Sequence, residues 1–253
     1  MADAATHAVV TGGGSGIGLA IAGALRDAGH AVTIMGRNRA RLDEAAAGLP
    51  GTRAVTCDVA DAADVERAFA GAATASGPIG ILVNNAGIAP AAPFLKTSEA
   101  DWRACIDINL MGAVHAIRQV AEPMQALPSA RIINIASTAA LKGYAYVTAY
   151  TASKHALLGL TRALALELAG TGVTVNAICP GYADTDIIRE SVARIVDRTG
   201  RSKVEALATF TATNPQKRLI DPAEVAASVL WLISDAARSV TGQAIAIAGG
   251  EVM

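Results

Sequence analysis

The segment VVTGGGSGIGLAIA, residues 9–22, joins a short apolar run to an apolar helical pattern through a cluster of glycines. Glycines at such a junction allow a sharp turn and a close approach of the backbone to a ligand. The positive N-terminal end of the following helix favours an anion such as a pyrophosphate. A tight turn without a ligand can use the same residues, but the first strand-to-helix turn of an alternating chain favours a dinucleotide site.

Short apolar runs alternate with helical stretches along the whole chain of 253 residues. This alternation predicts βαβ units, and hence a parallel sheet with helices on both faces and right-handed crossovers. We therefore expect one α/β domain over residues 1–253, built on a doubly wound, seven-stranded parallel sheet of the Rossmann type. Long helices are expected near residues 102–120 and 150–169. A polar insertion, residues 182–220, interrupts the alternation, and a substrate lid is the favoured interpretation.

The composition limits the classes of partner. A formal net charge of -1 gives no electrostatic case for nucleic acid or an anionic membrane. Charged residues such as Arg162 and Glu167 interrupt the longest apolar stretches, so none reaches the roughly 18 apolar residues of a membrane span. The N-terminus lacks the basic leader of a secretory signal, and we expect a cytoplasmic protein with a small-molecule partner. The dispersed cysteines and histidines lack metal-ligand spacing, so no metal site is expected.

The end of the second predicted strand bears on which dinucleotide binds. A carboxylate about 20 residues beyond the glycines would bind the ribose 2′-hydroxyl of NAD. The chain has Arg37 there, in IMGRNRARL, and a guanidinium can pair with a 2′-phosphate instead. NADP is therefore favoured and NAD is the alternative, although the arginines would also suit a solvated helix start. Asp58, directly after the third strand, is placed to accept a hydrogen bond from adenine or to cap the following turn.

Tyr150 and Lys154 lie four positions apart in AYTASKHALLGL, residues 149–160, and therefore share one helix face. A free tyrosine has a pKa of about 10, and lowering it to about 7 requires roughly 4 kcal/mol. A cation about 4 Å away at an effective dielectric near 20 supplies about that much. One lysine is therefore predicted to suffice in magnitude for tuning the phenol as a proton donor, with the positive charge of an oxidised nicotinamide helping against desolvation. The spacing alone also occurs by chance in many helices.

Further short motifs accompany this pair in a definite order. The set is TGGGSGIG at 11–18, NNAG at 84–87, Asn109 in IDINL, Ser137 in NIAST, YTASK at 150–154 and PG at 180–181. In order and spacing these motifs resemble the short-chain dehydrogenase/reductase family, and the resemblance covers essentially the whole chain. It implies an oxidoreductase that interconverts a ketone and a secondary alcohol with a nicotinamide cofactor.

The resemblance also implies roles for individual residues. Tyr150 is the implied general acid, and the base in the reverse direction. Lys154 would lower the pKa of that tyrosine and hold the nicotinamide ribose. Ser137 would polarise the substrate carbonyl, and Asn109 would kink its helix and position a water that leads protons to Lys154. With Arg37 and Asp58, the expected cofactor-binding set is Gly12, Gly14, Ser15, Gly16, Ile17, Gly18, Arg37, Asp58, Val59, Asn85, Ala86, Gly87, Tyr150, Lys154, Pro180, Gly181 and Thr185.

The sequence determines the substrate less closely. Relatives that act on carrier-protein substrates tend to have basic residues before strands five and six, where this chain has ALPSA at 126–130 and AGTGV at 169–173. A 3-oxoacyl thioester linked to CoA, or a similar β-keto compound, is therefore favoured. A cyclic or steroid-like alcohol is the alternative, which Tyr144 and Tyr146 would suit if they line the pocket. A dinucleotide-binding sensor without turnover is disfavoured by the intact catalytic set.

Other observations count against, or offer alternatives to, the expected cofactor, the roles of two site residues and the expected assembly. Ser15 stands where many NADP-using relatives have a basic residue, which weakens the preference for NADP. Ser137 and Asn109 also suit purely structural roles, as a turn residue and as a helix-interior amide bonded to backbone. The family usually forms tetramers through its two long helices, so we expect a homotetramer, although core packing explains the same apolar helix faces.

Overall fold

The computed structural model describes residues 6–253 of the chain. Its seven strands are β1 (His7–Thr11), β2 (Ala31–Gly36), β3 (Arg53–Thr56), β4 (Ile79–Asn84), β5 (Ala130–Ile135), β6 (Val173–Pro180) and β7 (Ala244–Ile247). They form one sheet in the order β3-β2-β1-β4-β5-β6-β7, and every neighbouring pair is parallel. The predicted doubly wound, seven-stranded sheet is therefore confirmed. The strand order reverses between β1 and β4, so a ligand crevice is expected beyond their carboxyl ends.

Helices cover both faces of the sheet. They are α1 (Gly16–Asp27), α2 (Arg39–Gly48), α3 (Ala62–Ser76), α4 (Glu99–Ile106), α5 (Gly112–Gln125), α6 (Thr148–Leu168), α7 (Asp186–Thr199), α8 (Lys203–Thr211) and α9 (Pro222–Ile233). The core on one face is shared by α1, α2 and α9, and the core on the other by α3, α5 and α6. In β1, Ala8 and Val10 belong to the first core and Val9 to the second, because side chains alternate along a strand. β1 is thus buried on both faces.

The long helix expected near residues 102–120 is not continuous. A π-helical segment, Asp107–Met111, separates α4 from α5. Such a segment adds a residue to one turn, and it is often found at functional sites. The helix expected over residues 150–169 is present as α6, displaced by two residues at its start and by one at its end. Within residues 6–253, no helix combines the length and apolar character needed to cross a membrane.

The insertion consists mainly of α7 and α8. At its base, Ala183 and Ile220 form an isolated parallel bridge. The Ile220 N–H donates to the Tyr182 carbonyl at 2.8 Å, and the Asp184 N–H donates to the Ile220 carbonyl at 2.9 Å. Ala183 and Ile220 are also buried in the core shared with α9. The change in composition over residues 182–220 therefore marks where the chain leaves the sheet-and-helix core and returns to it.

Candidate active site

The glycine turn, residues 11–18, takes a shape that its glycines permit. Gly12 and Gly16 have φ angles of +66° and +52°, in the left-handed region that favours glycine. Gly18 has no room for a side chain, because a Cβ there would lie 2.3 Å from the Gly12 carbonyl oxygen. The turn leads directly into the N-terminus of α1, where backbone N–H groups favour an anion. The residues present therefore fit the pyrophosphate of a dinucleotide.

The loop after β4 braces the glycine turn. Asn85 Nδ2 donates to the carbonyl oxygens of Thr11 and Gly12 at 3.0 and 3.1 Å. The Thr11 hydroxyl accepts from the backbone N–H groups of Asn85 and Ala86 at 3.1 and 3.2 Å. The structure thus brings two predicted cofactor segments together, with the Asn85 amide bound to backbone. Sequence reasoning missed the bracing role of Thr11, although its place at the end of β1, directly before the first glycine, is a signal.

The other expected cofactor residues follow the carboxyl ends of strands along the same sheet edge. Arg37 is exposed directly after β2. Asp58 Oδ1 accepts from the Ala60 N–H at 3.0 Å, while the N-cap of α3 is Asp61, and a contact of Asp58 with adenine stays a prediction. The Thr185 methyl carbon lies 3.1 Å from the position of a Cβ on Gly16, which places the start of α7 against the glycine turn. The remaining expected residues on this edge are Gly14, Ser15, Ile17, Val59, Gly87, Pro180 and Gly181.

Ser137, Tyr150 and Lys154 meet beyond the carboxyl end of β5. Ser137 lies two residues after the strand, and the other two side chains come from the first two turns of α6. The Ser137 hydroxyl is hydrogen-bonded to the Tyr150 phenol. Lys154 is buried, and its Nζ donates to the Ile135 carbonyl at 2.8 Å and lies 5.7 Å from the centre of the Tyr150 ring. The arrangement presents two O–H donors beside one buried amine.

Comparison with known proteins identifies the scaffold. Residues 6–195 match the family described as short chain dehydrogenase. The chain belongs to this family. The predicted family membership is therefore confirmed.

Two relatives and one solved structure illustrate the range of the family. The chain is 39% identical to galactitol 2-dehydrogenase (L-tagatose-forming) of Cereibacter sphaeroides, covering 96% of this chain and 93% of the relative. It is 36% identical to the 3-oxoacyl-[acyl-carrier-protein] reductase MabA of Mycobacterium tuberculosis, covering 96% of this chain and 91% of the relative. A crystal structure of an actinorhodin polyketide ketoreductase variant with NADPH shares 36% identity and a TM-score of 0.93, covering 99% of each chain.

Burial dominates the protonation of Tyr150 and Lys154. It raises the pKa of Tyr150 to about 12, and the hydrogen bond with Ser137 opposes this only in part. Burial also lowers the pKa of Lys154 to about 8. Within the chain itself, desolvation of the phenolate thus outweighs the attraction of Lys154, so a lowered Tyr150 pKa would also need the positive charge of the oxidised nicotinamide that was expected to help against desolvation.

Asn109 fastens two parts of the site together. It is buried in the π-helical segment, and its Nδ2 donates to the Ile88 carbonyl and to Ser153 Oγ, both at 2.9 Å. Its Oδ1 accepts from the Ile88 N–H at 2.8 Å. Ser153 Oγ donates in turn to the Tyr150 carbonyl at 2.7 Å. Asn109 thus joins the loop after β4 to the first turn of α6, and its positioning of a water stays a prediction.

The serine loop, residues 137–147, carries both tyrosines considered for the substrate pocket. Tyr144 is partly buried and packs edge-on against Tyr182, with 6.3 Å between ring centres. Tyr182 packs in the same way against Phe210 of α8 at 5.2 Å. Tyr146 is 64% exposed and has a φ angle of +68°. Only Tyr144 therefore belongs to the aromatic row that links the serine loop to the insertion.

Sequence reasoning missed Glu251, which follows β7. Its side chain is only 1% exposed, and its Oε1 accepts from the hydroxyls of Tyr144 and Thr213, each at 2.7 Å. Lys142 Nζ lies 3.3 Å from the same oxygen. Burial raises the pKa of Glu251, but these donors outweigh it and hold the pKa below its ordinary value. The signal available in the sequence was an acid directly after two glycines at the end of the last strand.

The side chains that could bind a metal ion are dispersed over residues 6–253. Among residues 6–253, no group of three His, Cys, Asp or Glu side chains could hold a metal ion. Cys57, Cys105 and Cys179 are buried and carry free thiols. Burial raises the pKa of each thiol, so these side chains are neutral near pH 7 and pack as small apolar groups.

Proposed function

We propose that the protein reduces the ketone of a 3-oxoacyl thioester, or a similar β-keto compound, to a secondary alcohol with NADPH, and catalyses the reverse oxidation with NADP⁺. The observation that carries the proposal is the hydrogen-bonded pair of Ser137 and Tyr150 beside the buried Lys154. Two O–H donors that converge on one carbonyl oxygen provide both polarisation and a proton, which ketone reduction requires.

Each side chain has a distinct task in this reaction. The reduced nicotinamide, when bound, supplies the hydride for the carbonyl carbon. Ser137 donates a hydrogen bond to the carbonyl oxygen and stabilises the negative charge that develops there. Tyr150 donates its proton to the same oxygen, and its raised pKa keeps the phenol protonated near neutral pH. Lys154, held by the Ile135 carbonyl, stabilises the phenolate that remains and is placed to hold the ribose.

Residues beside the ends of strands support the choice of cofactor and of thioester. Arg37 is exposed at the end of β2, where a guanidinium can pair with a 2′-phosphate. NADPH is also the cofactor in the actinorhodin ketoreductase structure. The segments before β5 and β6, residues 126–130 and 169–173, contain no basic side chain, which favours a CoA-linked or free substrate over one on a carrier protein.

We further propose a cytoplasmic homotetramer, formed through α5 and α6, in which the insertion acts as the substrate lid of a single catalytic domain. Leu166 supports the assembly, because this apolar side chain on α6 is 81% exposed. The contact of Thr185 with Gly16 supports the lid, because it places the start of the insertion over the cofactor turn. Size-exclusion chromatography with light scattering tests the assembly, and a monomeric mass would contradict it.

Replacement of the proton donor tests the proposed reaction. NADPH and NADH oxidation would be measured over a panel of 3-oxoacyl-CoA, carrier-linked thioester, cyclic ketone and steroid ketone. For Tyr150→Phe we expect kcat to fall by about 10²–10⁴-fold with little change in NADPH affinity. Tyr146→Phe is the matched control, because Tyr146 is an exposed tyrosine of the serine loop. Unchanged turnover in Tyr150→Phe would contradict the assigned proton donor.

A further inference from the structure

The segment after β7 ends in a buried carboxylate that contacts three separate parts of the chain. Glu251 Oε1 accepts from Tyr144 of the serine loop and from Thr213, which follows α8 in the insertion. Glu251 Oε2 lies 3.2 Å from the position that a Cβ on Gly181 would take. Gly181 follows β6 and belongs to the expected cofactor set. One side chain therefore touches the serine loop, the insertion and the turn after β6.

Two glycines allow the chain to bring Glu251 into this position. Gly249 and Gly250 have φ angles of +59° and +89°, which other residues rarely adopt. A Cβ on Gly249 would lie 2.3 Å from Asn214 Oδ1, and one on Gly250 would lie 3.3 Å from Pro215. Asn214 is buried, and its Nδ2 donates to the Arg218 carbonyl at 2.9 Å. The segment after β7 is thus packed closely against the end of the insertion.

The hydrogen bonds of Tyr144 have a defined direction. A carboxylate only accepts, so the Tyr144 hydroxyl donates to Glu251, and the Thr138 hydroxyl, also 2.7 Å away, donates to Tyr144. Thr138 directly follows Ser137. The same Tyr144 ring begins the aromatic row that continues through Tyr182 to the insertion. Fixing the Tyr144 hydroxyl therefore fixes a ring that lies between the carbonyl-polarising serine and the insertion.

We propose that Glu251 is a positioning residue that determines substrate fit, by anchoring Tyr144 and Thr213 so that the serine loop and the insertion form one rigid wall of the substrate pocket. Glu251 acts through the residues that it holds and takes no part in proton or hydride transfer. The inference deepens the proposed function and rests on it for the identity of the substrate. The anchoring itself is a property of the chain and can be measured without turnover.

Three variants separate anchoring from charge. Glu251→Ala removes both anchors, and we expect KM for the ketone to rise by about tenfold or more, with kcat less affected and NADPH affinity within about twofold. Glu251→Gln keeps an oxygen that accepts from Tyr144 and Thr213, so we expect KM within about threefold of the wild-type value. Thr213→Val removes one anchor and should give an intermediate KM. Glu190→Ala, an exposed acid of α7, is the matched control.

Hydrogen exchange provides a readout that does not depend on the substrate. In the full chain with NADPH, Glu251→Ala should accelerate exchange in residues 138–147 and 203–214 and leave α1 and α3 unchanged. Unchanged exchange in both segments would overturn the proposal, as would equal KM increases in Glu251→Ala and Glu251→Gln. If the wild type reduces no substrate of the panel, the proposed function fails while the exchange result still decides the anchoring. If Glu251→Ala does not fold, Glu251→Gln and Thr213→Val give the same comparison.

Discussion

Helix α1 contains two glycines for which the same substitution should have opposite effects. At Gly18, an alanine Cβ would lie 2.3 Å from the Gly12 carbonyl oxygen and 2.5 Å from Asn85 Nδ2, distances that Cβ contacts essentially never show. At Gly23, the nearest atom would be Leu49 Cδ2 at 3.5 Å, which is ordinary van der Waals contact. Helix propensity favours alanine equally at both positions. Any difference between the variants therefore measures the close contact at Gly18.

The contacts set the size of each effect. Overpacking typically costs about 1–3 kcal/mol, and the two hydrogen bonds of Asn85 Nδ2 contribute about 1 kcal/mol each. After the gain of about 1 kcal/mol in helix propensity, we expect Gly18→Ala to lower the free energy of unfolding by about 2–4 kcal/mol. Gly23→Ala should raise it by about 0.5–1 kcal/mol. Because Asn85 braces the turn, Gly18→Ala should also weaken NADPH binding by about tenfold or more.

Urea unfolding followed by far-UV circular dichroism would measure stability, and fluorescence titration would measure NADPH binding. Both variants carry one added methyl group on one helix, so Gly23→Ala controls for composition and helix propensity. Equal stability changes in the two variants would refute the reasoning that backbone contact excludes a side chain at Gly18. Wild-type NADPH affinity in Gly18→Ala would refute the role of the glycine turn in binding the cofactor.

Two further results are expected. Arg37→Asp removes the guanidinium and introduces a carboxylate that repels a 2′-phosphate, so the ratio of kcat/KM for NADPH over NADH should fall by about tenfold or more. The exposed Arg238→Asp is the control, and an unchanged ratio in Arg37→Asp would contradict the NADP preference. Lys154 has a folded-state pKa of about 8 against about 10.4 in the unfolded chain, so its buried charge costs stability below pH 8 and this cost disappears as the pH rises. Between about pH 8 and about pH 10, the wild type should therefore gain about 2 kcal/mol relative to Lys154→Met in urea unfolding. A constant difference would contradict the effect of burial.

The sheet and the cofactor turn could be predicted because their signals are local. Each strand is a short apolar run, and β1 with its glycines occupies one continuous segment. The direction of the chain and the handedness of crossovers then bring the carboxyl ends of the strands to one edge. Ser137 and Tyr150 could be placed there because each belongs to a short motif at the end of an element. The π-helical segment was not predicted, because Asp107–Met111 has the composition of an ordinary helix.

The contacts of Glu251 could not be predicted, because they join residues that are far apart in the sequence. Tyr144 is 107 positions away and Thr213 is 38 positions away. Neither spacing corresponds to a helical or strand period, so no local pattern connects these side chains. Only the packing of the insertion against the segment after β7 brings them together. Buried polar contacts of this kind are determined by the tertiary structure and not by a local sequence pattern.

The protonation of Tyr150 shows how burial changes an energy estimated from the spacing of two side chains. One lysine can attract a phenolate by about the energy needed to lower the pKa of tyrosine from about 10 to about 7, but burial removes the phenolate from water and raises the pKa to about 12. A phenol with this pKa is protonated near neutral pH, which is the form that donates a proton during ketone reduction. The oxidation direction needs the phenolate, and the positive charge of an oxidised nicotinamide favours it. In the proposed reaction, burial therefore favours the phenol that reduction would use, and the charge of an oxidised cofactor, when bound, would favour the phenolate that oxidation would use.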